Sequence, residues 1–211
     1  MTTRPMPDPS GGERLTADAS PDFQALILAG GQSRRMGQDK AMLTWQGQNL
    51  LEHMVDVLQR AGARRIWRSG PYTDADALPD IQPGLGPLGG LSSLAHAAED
   101  GVYLVVPVDM PLLDVGLLRL LPQALSSSAV EVGAMRFSGF VLPMALRLDA
   151  TNRAVIEHVA AGEKSARSLR ALHQALAGSE IPVPETADER LRNCNTPEEW
   201  RELSRLSEAC E

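Results

Sequence analysis

Apolar positions along the chain fall into short continuous runs separated by longer amphipathic stretches. Residues 23–30, FQALILAG, form one such run ending in glycine, which predicts a buried strand. Residues 49–62, NLLEHMVDVLQRAG, are apolar at 50, 51, 54, 55 and 58. That spacing predicts a helix, with Asn49 as its N-cap and Gly62 as its stop. A second strand is predicted at 64–70 (RRIWRSG) and a helix at 88–101, after a Gly-Pro turn. Residues 102–109, VYLVVPVD, are the most strand-like of all, and a helix at 112–125 follows, capped by Asp114 and disturbed near its end by Pro122.

Further on, residues 129–137 and 140–148 flank Ser138 and Gly139 and predict a hairpin. Residues 151–177 carry two helical patterns broken at Gly162. The closing stretch NTPEEWRELSRLSEA predicts a helix with Thr196 as N-cap, Pro197 at the first helical position and Glu199 completing a capping box. Strand and helix alternate as far as residue 125, which argues for an α/β fold with a mostly parallel sheet. The hairpin makes that sheet mixed, and the short connections favour three layers. Ligands in such folds bind beyond the carboxyl ends of the strands. The Gly30–Gly31 turn and Asp109 both fall at such ends, so they are expected to be neighbours.

The chain has 211 residues, and one domain is expected over 23–211. Residues 1–22 are rich in Pro, Ser, Gly, Thr and Asp, and are expected to be a disordered tail. A net charge of −7 argues against a nucleic-acid partner, although it permits a local cationic pocket. No stretch approaches the ~20 apolar residues of a membrane span, and the N-terminus lacks the apolar core of a signal peptide. Cys194 and Cys210 have no zinc-like spacing and read as reduced thiols of a cytoplasmic protein. The four histidines share no metal-like spacing either, and Trp45, Trp67 and Trp200 read as packing groups, Trp45 near enough to the glycine loop to line a pocket.

Candidate chemistry concentrates in residues 28–41, LAGGQSRRMGQDKA. Adjacent glycines let a backbone approach a ligand, and successive N–H groups can cup an anion. Ser33 adds a hydroxyl, while Arg34, Arg35 and Lys40 add positive charge. The loop is neither a P-loop nor a dinucleotide fingerprint, because its glycines have the wrong spacing. From glycine content alone, a phosphate cradle and a solvated Gly/Arg loop stand side by side.

Asp109 ends a strand in which Pro107 gives up a ladder hydrogen bond, and one carboxylate plus substrate phosphates is a usual way to hold Mg²⁺. Asn193 and Asn195 alternate, so they are expected on one side of a strand. Lys164, Arg167 and Arg170 read as a solvated helix face, or as a grip for the phosphate of a second substrate.

Taken together, L-A-G-G-x-S-x-R-M-G-x-D-K-A resembles the signature loop of the molybdenum cofactor guanylyltransferases, MobA-like nucleotidyltransferases with a Rossmann-like fold. Gly86-Pro87-Leu88-Gly89-Gly90, Pro107-Val108-Asp109-Met110-Pro111 and Asn193-Cys194-Asn195-Thr196-Pro197-Glu198-Glu199 resemble three further family motifs in the right order. The resemblance implies transfer of GMP from GTP to molybdopterin or molybdenum-molybdopterin, with Mg²⁺ as cofactor and other molybdenum cofactor biosynthesis proteins as further partners. It implies nucleotide binding by Leu28, Ala29, Gly30, Lys40, Asp80 and Asp109, and metal binding by Asp109. The loop's own chemistry adds Gly31 and Ser33 to the nucleotide site, and Arg35, Lys40 and Asp109 are the expected catalytic set. Asn193 and Asn195 fall near the pterin. Two departures concern the base: the Asp80–Gly86 spacing is unusual, and an expected Asn is replaced near Ser69. Cytidylyl transfer to the same pterin is one alternative, but its enzymes tend to show L-A-A-G where this chain has Leu28-Ala29-Gly30-Gly31. Another nucleotidyltransferase of the same fold, such as one acting on a sugar 1-phosphate, is a second. A non-catalytic nucleotide sensor is a third, and the presence of both Lys40 and Asp109 argues against it.

Overall fold

The computed structural model describes residues 22–30, 40–79, 84–185 and 187–208. The tail at 1–21, most of the glycine loop and Asp80 therefore lie outside the described residues.

Seven strands make one sheet: β1 (Gln24–Leu28), β4 (Ile66–Ser69), β5 (Ala77–Leu78), β6 (Gly101–Pro107), β7 (Ala134–Phe137), β8 (Met144–Leu148) and β9 (Ser179–Ile181). Their order is β5-β4-β1-β6-β8-β7-β9. The first four are mutually parallel, β8 runs antiparallel to β6 and β7, and β9 lies parallel to β7. A separate small hairpin joins β2 (Thr44–Trp45) and β3 (Gln48–Asn49). The helices are α1 (Leu50–Ala61), α2 (Pro87–Ala97), α3 (Val115–Ser126), α4 (Ala150–Ala161), α5 (Leu169–Ala175) and α6 (Pro197–Glu208).

Strand periodicity explains the three layers. Successive residues of a strand face opposite sides, so Ala25 and Ile27 of β1 and Leu104 and Val106 of β6 join the core under α1, α3 and α6. Leu26, Tyr103 and Val105 join the core under α2, α4 and α5. Both faces of the central strands are thus covered, which is why β1 and β6 are apolar almost throughout.

The caps follow the sequence closely. Asn49 and Glu52 form a reciprocal capping box on α1, which stops at Gly62 in the left-handed region (φ 97°). Asp114 accepts the N–H of Leu117 at 2.9 Å to cap α3.

Four expectations are corrected. Helix α2 stops at Ala97 rather than 101, where Arg153 of α4 takes the carbonyls of Ala95 and Ala98, and Gly101 already belongs to β6. Pro122 does not disturb α3, which continues to Ser126 because Leu118, Leu121 and Leu125 hold that face against the core. The hairpin is wide. Arg136 pairs with Met144, so residues 138–143 form the connection, and the Ser138 N–H bonds Ile181 across to β9 at 2.9 Å. Residues 193–195 form no strand.

Candidate functional site

The site grows from the carboxyl ends of β1 and β6. Leu28 is held from both sides: its carbonyl accepts Val108 N–H at 3.2 Å, and the next residue, Ala29, donates its N–H to Ser69 O at 3.1 Å. β1 therefore delivers Gly30 to the exposed rim between β4 and β6. Pro107 is the last residue of β6. Val108 points its N–H toward β1, so Pro107 would have faced β8, where pairing has already ended at Val105. The missing donor costs nothing there, and the chain is free to turn at Asp109.

Two glycines mark this end of the sheet for different reasons. A Cβ at Gly90 on α2 would lie 2.5 Å from Ser69 Oγ and 3.0 Å from Leu28 Cδ2, so only glycine lets the helix pack this close. A Cβ at Gly30 would meet Gly70 and Ser69 at ordinary distances of 3.4–3.5 Å. Packing against the described residues therefore leaves room for a Cβ at position 30. The first turn of α2 begins at Gly86 without a side-chain cap, so its backbone amides and the positive end of its dipole stand at the same end of the sheet.

Lys40, in a short 3-10 turn (Lys40–Met42), reaches across to Asp109 and Asn195. Its Nζ lies 2.8 Å from Asp109 Oδ2 and 2.7 Å from Asn195 Oδ1. The ion pair is mostly shielded, with side-chain exposures of 14% and 18%, so salt screens it less than a surface pair. The Cys194 N–H donates to Asp109 O at 2.7 Å. Residues 193–195 are thereby docked on the Asp109 turn, with Cys194 buried, Asn193 exposed, and Asn195 exposed and bonded to Lys40. Burial pushes the Cys194 thiol up to about 11, so it stays protonated. His53 of α1 lies 2.9 Å from Pro111 O and steadies the same turn. A carbonyl only accepts, so this nitrogen carries the hydrogen. Burial holds the His53 pKa below the usual histidine value.

Of the sequence candidates, Leu28, Ala29, Gly30, Lys40, Asp109, Asn193 and Asn195 gather here. Gly31, Ser33, Arg35 and Asp80 lie outside the described residues. Asp109 differs from expectation, because its carboxylate is already engaged by Lys40. Trp45 is buried against His53 and Trp200 rather than lining a pocket. Lys164 and Arg167 are exposed between α4 and α5, and Arg170 is exposed on α5. The Lys40–Asn195 bond itself had no sequence signal beyond the N-x-N spacing.

No group of three or more His, Cys, Asp or Glu converges among the described residues. A shielded carboxylate at a strand end, with one oxygen on Lys40, suits a hard cation shared with substrate oxygens.

Residues 25–184 match the MobA-like NTP transferase domain. The chain belongs to this family. It is therefore a nucleotidyltransferase. The molybdenum cofactor guanylyltransferase of Xanthomonas euvesicatoria is 46% identical over 184 residues, covering 86% of this chain and 94% of the relative. That of Pseudomonas putida is 35% identical, covering 86% and 97%. Among solved structures, molybdopterin-guanine dinucleotide biosynthesis protein A from Archaeoglobus fulgidus superposes with a TM-score of 0.68 at 16% identity, covering 89% of this chain and 99% of that one. The 2-C-methyl-D-erythritol 4-phosphate cytidylyltransferase of Thermus thermophilus gives 0.61 at 20% identity, covering 89% and 99%. Both likenesses establish the fold, a three-layer nucleotidyltransferase sheet.

Proposed function

We propose that this chain transfers GMP from GTP to molybdopterin or its molybdenum-bearing form, yielding a guanine dinucleotide cofactor and pyrophosphate. The observation that carries the reading is the cluster of Lys40, Asp109 and Asn195 at the carboxyl ends of β1 and β6, in a chain whose relatives are named molybdenum cofactor guanylyltransferases. Those names do not favour the cytidylyl alternative.

In this reading a terminal phosphate oxygen of the pterin attacks the α-phosphorus of GTP in line. A new P–O–P link forms as the α–β bond breaks, and pyrophosphate carries away the bonding pair. Leu28, Ala29 and Gly30 line the nucleotide's approach, with Gly31 and Ser33 extending the cradle and Asp80 reading guanine. Lys40 and Arg35 hold the β- and γ-phosphates and offset the charge that grows on the leaving group. Enzymes of this kind use a divalent metal. Here Mg²⁺ would sit on Asp109 and the phosphates, where it neutralises charge and orients the reacting groups. In this reading Asn193 and Asn195 contact the pterin. The reading places the enzyme in the cytoplasm, in keeping with the free thiol of Cys194. No helix among the described residues is long and apolar enough to cross a membrane.

The test is a panel of GTP, CTP, ATP and UTP, each with Mg²⁺, scored by thermal shift and by pyrophosphate release with molybdopterin as acceptor. GTP alone is expected to stabilise the protein by about 2.7 kcal/mol at a hundredfold excess over its Kd, and to support turnover. Selective stabilisation and turnover with CTP would overturn the guanylyl assignment.

A further inference from the structure

The N-terminus of α6 carries one hydrogen bond more than its cap requires. Thr196 caps the helix, and Glu199 completes the box: Glu199 N–H donates to Thr196 Oγ1 at 3.2 Å, and Thr196 N–H donates to Glu199 Oε2 at 3.0 Å. The same Oε2 also accepts the N–H of Asn195 at 2.7 Å, one residue upstream of the cap. Helix stability alone has no use for that bond, because Asn195 lies outside the helix.

Its effect is on the Asn195 side chain. The Cys194 N–H is fixed to Asp109 O at 2.7 Å, and the Asn195 N–H is fixed to Glu199. With the amides of residues 194, 195 and 196 all anchored, the Asn195 backbone is held and its two side-chain torsions place Oδ1 on Lys40 Nζ. Lys40 needs this help. A lysine ammonium rides on a flexible four-carbon stem, and a single acceptor on Asp109 leaves it free to swing. A second packing contact keeps the two segments in register. Trp200, the residue after Glu199, stacks edge-on against Trp45 at 5.3 Å between ring centroids, and Trp45 lies five positions after Lys40, as Trp200 lies five after Asn195.

We infer that Glu199 is a positioning residue for nucleotidyl transfer, its carboxylate fixing the backbone of Asn195 so that Asn195 aims the Lys40 ammonium. For its kinetic readout the inference rests on the function proposed above.

The experiment compares Glu199→Ala, Glu199→Gln, Asn195→Ala and the double variant Glu199→Ala/Asn195→Ala, assayed with GTP, Mg²⁺ and molybdopterin below the melting point of the weakest. Glu199→Ala is expected to lower kcat about tenfold, as loss of an outer hydrogen-bond partner does, with KM for GTP within about twofold of wild type. Glu199→Gln restores kcat, because one amide oxygen can accept both N–H bonds that Oε2 now takes. In the Asn195→Ala background, Glu199→Ala lowers kcat no further, while it lowers the melting temperature equally in both backgrounds, since the cap is lost in each. Equal kcat losses in the two backgrounds, or wild-type kcat in Glu199→Ala, would overturn the inference.

Hydrogen exchange at the Asn195 amide gives a readout independent of turnover. It is expected to accelerate in Glu199→Ala and not in Glu199→Gln, and unchanged exchange in Glu199→Ala overturns the inference. A wild-type protein that transfers no nucleotide would sink the functional reading alone, leaving the exchange experiment to decide the role of Glu199.

Discussion

Near the amino ends of β1, β4 and β6, polar side chains close on one another, whereas beyond the carboxyl ends of β1 and β6 they gather around an open rim. At the first end Trp67 Nε1 donates to Gln24 Oε1 at 3.0 Å, Gln24 Nε2 donates to Glu99 Oε1 at 2.9 Å, and Tyr103 OH donates to Glu99 O at 2.8 Å. Burial raises the Tyr103 pKa to about 12, so its hydroxyl remains a donor. At the other end Lys40 is shared between Asp109 and Asn195, and Gly30, Asn193 and Asn195 are exposed. A closed network contributes rigidity and unique packing. An open one keeps charge and hydrogen-bond capacity for a ligand. The strands are shared, so what separates frame from site is which end has its polar groups fully spent.

The largest expected effect tests the open end. Asp109→Asn keeps an oxygen for Lys40 but loses the charge, and turnover should fall on the order of 10²–10³-fold. Its melting temperature and circular dichroism should stay close to wild type. Normal turnover in this variant would remove Asp109 from the chemistry.

At the closed end the expectation reverses. Gln24→Leu strands the indole N–H of Trp67, a loss of about 1–3 kcal/mol by denaturant titration. Activity per folded molecule should be unchanged, and a specific activity loss would blur the distinction between the two ends.

Gly90→Ala sharpens the boundary, because the new methyl group runs into Ser69 and Leu28 together. Overpacking should destabilise by about 1–3 kcal/mol, and KM for the nucleotide should rise as Leu28 shifts. Ser69→Gly in the same chain should recover most of the stability.

The smallest effect is the response to acid. His53 has a folded pKa below its ordinary value of 6.5, and His173 is shifted in the same direction, burial being the main cause for each. Below about pH 6.5 the unfolded chain therefore takes up protons that the folded one resists. Stability should fall as pH drops from there through the folded values, and should be flat above. His53→Gln should shallow that slope in a melting-temperature series. An unchanged slope would show that the turn after Asp109 does not depend on the neutral imidazole.

Much of the frame was legible because continuous apolar runs and capping residues act locally. Residues 23–30 gave β1, Asn49 and Gly62 bounded α1, and Thr196 with Glu199 opened α6. What escaped were β2, β3, β5 and β9, each of two or three residues. Strands this short carry no period of their own, and pairing partners elsewhere in the chain decide them. In the site, Lys40 and Asp109 stood out through their motif. The contact joining Lys40 to Asn195 spans 155 positions and depends on the whole sheet being in place. Glu199 was visible only as a cap, because its second hydrogen bond depends on where Asn195 comes to rest.

That long span also sets an order of events during synthesis. The last strand of the sheet ends at Ile181, and Asn195 follows later in the chain. Translation proceeds from the N-terminus, and domains fold as units as they emerge. Every described strand thus leaves the ribosome before Asn195, and α6, which covers one face of the sheet through Leu203, follows directly after it, so the last helix to close the core and the last residue to grip Lys40 arrive together.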